Sequence, residues 1–211
     1  VLSENQVTCR SLVLEAPQKP AIKEVALHEP KAGEVRIKLE GSGVCASNIP
    51  VWEGREWFTY PIPPGNPGHE GWGTIDAIGE GVEGFEVGDR VTALSYNAYA
   101  THDLAEAINV VKLPEELKGK PIPGEPLGCA MNIFSRSDIQ EGQTVAIVGC
   151  GFLGLLLIQL ATSAGARVIA LSRREFSLEA AIEAGADHSI ALDEHFQIIE
   201  KVNQLTGGNF C

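Results

Sequence analysis

Residues 35–39 read Val-Arg-Ile-Lys-Leu, alternating apolar and polar with the period of a strand that buries one face. Residues 73–79 and 89–94 repeat that rhythm. Turn signals fall between them at Gly79-Glu80-Gly81, at Gly84 and at Val87-Gly88-Asp89. Many short strands divided by glycine turns predict a small barrel or sandwich. A stretch containing Pro114, Pro121, Pro123 and Pro126 then breaks the pattern. Beyond it the rhythm changes. Residues 127–135 predict a helix. Residues 144–148, Thr-Val-Ala-Ile-Val, form an apolar, β-branched run ended by glycine, the mark of a buried parallel strand. Residues 152–164 predict a helix stopped by Gly165, residues 167–171 a second strand, and residues 178–184 a helix stopped by Gly185. Strand alternating with helix predicts a parallel α/β sheet. The fold class expected is thus a mainly β domain over residues 1–120, followed by an α/β domain over residues 121–211.

Composition adds limits to this picture. The chain has 211 residues, 44% hydrophobic and 21% charged, enough to build a core. Its formal net charge of −12 argues against nucleic acid or an anionic membrane as partner, since both repel it. The five cysteines, Cys9, Cys45, Cys129, Cys150 and Cys211, are odd in number, widely spaced and without a CxxC pair. That argues against a disulfide framework and a four-cysteine zinc site, and fits a reduced, cytoplasmic compartment. The first five residues lack the basic-then-apolar pattern of a secretory leader. The longest apolar runs, such as residues 153–157, are too short to span a bilayer.

Chemistry first appears at Gly149-Cys150-Gly151-Phe152-Leu153-Gly154, a G-x-G-x-x-G. Alone the pattern is weak; here it follows a predicted strand, opens a predicted helix and precedes a second strand. Gly149 permits the tight turn, Gly151 lets backbone approach a pyrophosphate, and Gly154 lets helix and strand pack closely. Helix-start N–H groups then face the phosphates of a nicotinamide dinucleotide. At the end of the second strand an NAD site places an acid against the ribose 2′-hydroxyl. This chain reads Ser172-Arg173-Arg174 there. No carboxylate repels a 2′-phosphate and Arg173 can pair with it, so NADP is expected over NAD. The alternative is that both arginines are simply solvated.

Three further fragments now align: Gly43-Val44-Cys45-Ala46-Ser47-Asn48, Pro67-Gly68-His69-Glu70-Gly71, and Gly124-Glu125-Pro126-Leu127. With the glycine loop they resemble the medium-chain dehydrogenase/reductase superfamily, in its zinc-dependent alcohol and polyol dehydrogenase branch. The resemblance covers essentially the whole chain. It implies a GroES-like catalytic domain followed by a Rossmann domain, and reversible oxidation of a small alcohol to an aldehyde or ketone. It implies Cys45 and His69 as ligands of a catalytic zinc, with Glu125 as the third and Cys129 competing for that place. Glu70 is implied as a neighbour of the metal that ligates in some states. Ser47 is implied as the hydroxyl that meets the substrate oxygen and begins a proton relay. Thiolate, imidazole and carboxylate suit Zn²⁺, and a catalytic site keeps one position open. Taken singly, Cys45 is more often a small core residue and His69 more often structural, while the alternative for Ser47 is a turn cap.

The chain departs from the family pattern at several places. Asn48 replaces a frequent Asp, and Pro50 replaces the histidine that ends the relay in alcohol dehydrogenases. Residues 93–100 run directly between strands where relatives carry a cysteine-rich lobe, so one catalytic zinc and no structural zinc is expected. Residues 203–211 read as a helix end leading to a strand that does not follow, so the chain is expected to be part of a longer protein, a homodimer or homotetramer when intact. Trp52, Trp57, Phe58 and Tyr60 follow the Ser47 motif and read as either substrate pocket or core. A zinc-free quinone or enoyl reductase of the same superfamily, and a non-catalytic NADP-binding protein, are the alternative functions.

Overall fold

The computed structural model describes residues 7–193, 195–209 and 211. Residues 1–5, the basis of the leader reading, and Phe210 lie outside the described residues. The chain divides into two compact units, Val1–Glu125 and Pro126–Cys211.

The first unit opens with a hairpin of β1 (Thr8–Ala16) and β2 (Lys19–Ala26), antiparallel from Thr8↔Ala26 to Ala16↔Lys19. Its reversal at Gln18 uses a positive φ of 59°. β3 (Glu34–Ser42) follows, then a single 3₁₀ turn at Ala46–Asn48 and the short helix α1 (Ile49–Glu53). β4 (Gly71–Ile78), β5 (Arg90–Ala93), β6 (His102–Glu106) and β7 (Val110–Lys112) complete the unit. Five strands pair in the order β6-β3-β4-β5-β7. All four pairings are antiparallel. The expected barrel or sandwich is therefore an open sheet with β6 and β7 as its edges; no barrel closes among the described residues.

The alternation read at residues 35–39 places Val35 and Ile37 at the centre of this core, at 0% and 1% exposure. Ile75, Val91, Ala93, Ala105 and Val110 pack against them. A second cluster of Leu14, Val51 and Ile62 holds α1 against β1.

The second unit begins as α2 (Gly124–Arg136) leaves the first. The helix starts three residues before the sequence pattern predicts, because Pro126 is preorganised for a first helical turn. β8 (Thr144–Val148), α3 (Phe152–Ser163), β9 (Arg167–Ser172), α4 (Glu175–Glu183), β10 (His188–Ala191) and α5 (His195–Thr206) follow. The sheet order is β10-β9-β8, all parallel. Side chains of β9 alternate between two cores, as strand geometry requires. Val168 and Ala170 pack with Ile158 and Ala161 of α3 and Ala181 of α4. Ile169 and Leu171 pack with Ile190 and with Ile198, Val202 and Leu205 of α5. Helices cover both faces, so β9 is buried from Val168 to Ser172. Among the described residues no helix is long and apolar enough to cross a membrane.

Candidate active site and nucleotide loop

Cys45 sits where the chain leaves β3, and its carbonyl accepts from Asn48 N–H at 3.0 Å to close the 3₁₀ turn. His69 and Glu70 occupy the approach to β4. β3 and β4 pair at Ser42↔Gly71, so register brings Cys45 and the His69-Glu70 pair together. The Cys45 sulfur, a His69 ring nitrogen and a Glu70 carboxylate oxygen all lie within 4.8 Å of one another. Gly43 N–H donates to the Glu70 carbonyl at 3.0 Å. A Cβ at Gly43 would stand 1.8 Å from Glu70 Oε2, so the glycine of this motif makes room for that carboxylate.

His69 is held from behind. Its Nδ1 lies 2.8 Å from the Pro67 carbonyl, which can only accept, so Nδ1 carries a proton and Nε2 is the ring nitrogen left to face Cys45. Burial opposes a charge on the ring. The Pro67 carbonyl, Cys45 and the charge of Glu125 outweigh it and raise the His69 pKa. Cys45 behaves conversely. Burial pushes its thiol up, but hydrogen bonds from the Ser47 hydroxyl, the Ser47 N–H and His69 together hold it below the usual thiol range, against the charge of Glu70. A lowered thiol supplies the thiolate that metal binding needs.

Glu125 stands in the first turn of α2, half-buried, with its charge felt at His69. The start of α2 is fixed by Thr92, whose hydroxyl accepts from Gly124 N–H at 2.8 Å and donates to the Gly71 carbonyl at 2.9 Å. The carboxylate in the close group of ligand atoms is that of Glu70, not Glu125. Cys129 is exposed on α2. The exposed Ser47 points its hydroxyl at Asn48 Oδ1, 3.5 Å away.

Tyr99 is a neighbour that the sequence did not single out. Asn48 Nδ2 donates to its hydroxyl. Burial raises the Tyr99 pKa, and the charges of Glu70 and Cys45 add to it. The contact spans 51 residues, and no local pattern carries it. Of the four aromatics after Ser47, Phe58 and Tyr60 pack against the Leu14 cluster and Tyr60 donates to the Val51 carbonyl. Trp52 and Trp57 are exposed, at 45% and 66%.

In the second unit each loop glycine has its own reason. Gly149 has φ +100°, a conformation that favours glycine. Gly151 precedes α3 in extended backbone, and a Cβ there would meet nothing within 4 Å, leaving open space above the helix start. A Cβ at Gly154 would stand 2.0 Å from the Gly149 carbonyl oxygen. Cys150 is buried, with its thiol donating to the Leu171 carbonyl at 3.6 Å, while Phe152 and Leu153 face solvent. Gly149 N–H donates to the Leu171 carbonyl at 2.8 Å, which ties the loop to the end of β9. Ser172, buried, comes next, followed by the exposed Arg173 and Arg174.

A β unit carrying a cysteine–histidine–glutamate group, followed by an α/β unit opened by a glycine loop, is the architecture of a dehydrogenase/reductase. Residues 31–115 match the alcohol dehydrogenase GroES-like domain family, and residues 153–210 the zinc-binding dehydrogenase family. The chain belongs to the medium-chain dehydrogenase/reductase superfamily, in its zinc-type alcohol dehydrogenase branch. It is 33% identical to a sorbitol dehydrogenase of Halalkalibacterium halodurans, over 89% of this chain and 63% of the relative. A short chain alcohol dehydrogenase (rspB) of Escherichia coli CFT073, solved with NADH, superposes with a TM-score of 0.82 at 27% identity, over 95% of this chain and 66% of that one. The mycobacterial protein Rv1454c, solved with NADPH, gives 0.80 at 28% identity, over 95% and 63%. The chain thus spans just under two thirds of these relatives' length.

Proposed function

We propose that the intact protein is a zinc-dependent oxidoreductase that moves a hydride between NADP(H) and an alcohol or its aldehyde or ketone. The gathering of the Cys45, His69 and Glu70 ligand atoms within 4.8 Å carries this reading. The donors fit zinc: a thiol held low, an imidazole held through Nδ1 so that Nε2 faces the site, and a carboxylate, three ligands that leave one position open. Glu125, one helical turn into α2, is the further candidate ligand. Zinc in such a site polarises a carbonyl or stabilises an alkoxide. A zinc-free reductase gives no reason for these three groups to converge.

The chain's own residues supply the rest. The Pro67 carbonyl fixes the His69 tautomer and ring orientation. The Ser47 hydroxyl, exposed beside Cys45, can accept a proton from an alcohol being oxidised or, in the reverse direction, return one to the oxygen of a carbonyl being reduced. The open helix start at Gly151 receives the pyrophosphate, and the hydride travels on the cofactor. With Ser172 where an acid would stand, Arg173 pairs with a 2′-phosphate. Such a charge-assisted hydrogen bond contributes about 1.5–3 kcal/mol.

The test is metal analysis of the full-length protein with Cys45→Ala beside it. Wild type is expected to hold about one zinc per chain, and Cys45→Ala to lose both zinc and carbonyl reduction. Carbonyl reduction that survives Cys45→Ala refutes zinc catalysis.

A further inference from the structure

Thr92, on β5, is buried at 6% exposure, and its one hydroxyl has two partners whose roles leave no choice. The Gly71 carbonyl can only accept, so the hydroxyl gives its proton there, at 2.9 Å. The Gly124 N–H can only donate, so the hydroxyl oxygen accepts from it, at 2.8 Å. These partners belong to the two segments that carry the candidate carboxylates. Gly71 follows His69 and Glu70, and Gly124 precedes Glu125. The packing is as close as the bonding: a Cβ at Gly124 would stand 2.2 Å from Thr92 Cγ2. Two residues back on β5, and so on the same face of the strand, Arg90 holds the approach to Gly124. Its guanidinium donates to the Leu117 carbonyl at 2.7 Å and to the Lys120 carbonyl at 2.6 Å, and pairs with Glu40 at 2.8 Å. The segment from Leu117 to Gly124 is thus fastened to β5 at both ends. Glu125 comes next, with its charge felt at His69.

We infer that Thr92 is a positioning residue of the metal site: through one hydroxyl it sets the spacing between the His69-Glu70 segment and the Glu125 segment, and so keeps Glu125 beside an ion held by Cys45, His69 and Glu70. This rests on the zinc reading above and on Glu125 as the further ligand named there. The device needs a hydroxyl. Valine has the shape of threonine but makes neither bond, which leaves the Gly71 carbonyl and the Gly124 N–H without their shared partner. Serine makes both bonds and gives up only the methyl group.

The experiment is zinc affinity of the full-length protein, measured by competition with a chelator, in a double-mutant cycle. Thr92→Val is expected to weaken zinc binding about tenfold, while Thr92→Ser stays within about twofold of wild type. Glu125→Gln is expected to weaken it comparably, and Thr92→Val added to Glu125→Gln to cost less than about twofold more. With cobalt(II) in place of zinc, the visible bands of Thr92→Val are expected to move toward those of Glu125→Gln. If Thr92→Val does not fold, Gly124→Ala takes its place in the cycle: its Cβ displaces the same segment and leaves the hydroxyl in place. Wild-type affinity in either variant overturns the inference, as does an equal cost of the change with Glu and with Gln at position 125. Other outcomes separate it from the readings beneath it. A wild type that binds no zinc sinks the zinc reading itself. Glu125→Gln with wild-type affinity removes Glu125 as a ligand and the inference with it, and leaves Cys45, His69 and Glu70 standing. A weakened Glu125→Gln beside an unaffected Thr92→Val removes only the positioning role of Thr92.

Discussion

Asp103 is a buried carboxyl, 5% exposed, on β6. Burial raises its pKa, against hydrogen bonds from the Ser95 hydroxyl and from the Leu104 and Asn97 N–H groups. A raised acid keeps its proton in the folded state at a pH where the unfolded chain has lost it. Its contribution to stability is thus greatest below the ordinary carboxylate range and declines as pH rises toward the raised folded value. Asp103→Asn removes that slope. The stability difference between wild type and Asp103→Asn, from urea unfolding at a series of pH values, is expected to fall through the acid range and level off above it. A difference that is constant with pH contradicts this.

At the same scale, the candidate site was legible where chemistry and local sequence coincide. Cys45, Ser47, His69 and Glu70 lie in short fragments whose glycines have visible jobs, such as Gly43 beside the Glu70 carboxylate. The sequence offered both Glu70 and Glu125 beside the metal, and it is Glu70 that joins the close group. Tyr99 was not legible, since its partner is distant in sequence.

The elements show where periodicity works. The bounds of β8 and β9 were predicted almost residue for residue from their apolar runs. β9 lies in a two-sided core, but β8, expected to be a buried strand, is an edge of the described sheet, buried only at Ile147 and leaving Val148 70% exposed. The β1–β2 hairpin was missed. β2 is mostly exposed and its turn uses Gln18 at positive φ rather than an Asn-Gly or Asp-Gly pair. α4 begins at Glu175, three residues before its predicted start, because the Arg174 carbonyl accepts from both Ser177 and Leu178 N–H. The contact between α3 and the β8 loop gives the sharpest prediction at this scale. A Cβ at position 154 meets backbone, at 2.0 Å from the Gly149 oxygen, which cannot swing aside as a side chain would. Gly154→Ala is expected to destabilise the second unit by about 1–3 kcal/mol and to weaken nucleotide binding. Thermal unfolding and fluorescence titration with NADPH measure the two effects. Wild-type affinity in Gly154→Ala would refute the close-packing role.

Across the whole molecule the two proposed tasks, metal binding and nucleotide binding, fall to different units. Cys45, His69, Glu70 and Glu125 belong to Val1–Glu125, while residues 149–154 and 172–174 belong to Pro126–Cys211. Each unit has its own core, built by its own strands. Removing zinc with a chelator is therefore expected to abolish hydride transfer in the full-length protein and to leave NADPH affinity within about twofold. Parallel activity and binding assays on the same stripped sample check this; affinity lost along with the metal would mean that the two tasks are not separable. The net charge of −12 fits a surface that keeps polyanions away.

The link from Gly149 N–H to the Leu171 carbonyl uses main-chain atoms alone. The next position, Ser172, begins the stretch whose side chains are proposed above to choose between nucleotides. The cradle for the shared part of the cofactor is thus written in backbone, and the choice between cofactors in side chains one residue further on. A lineage can change its redox currency by substituting those side chains without rebuilding the cradle, and related chains carrying NADH and NADPH on one fold are what such a division of labour allows.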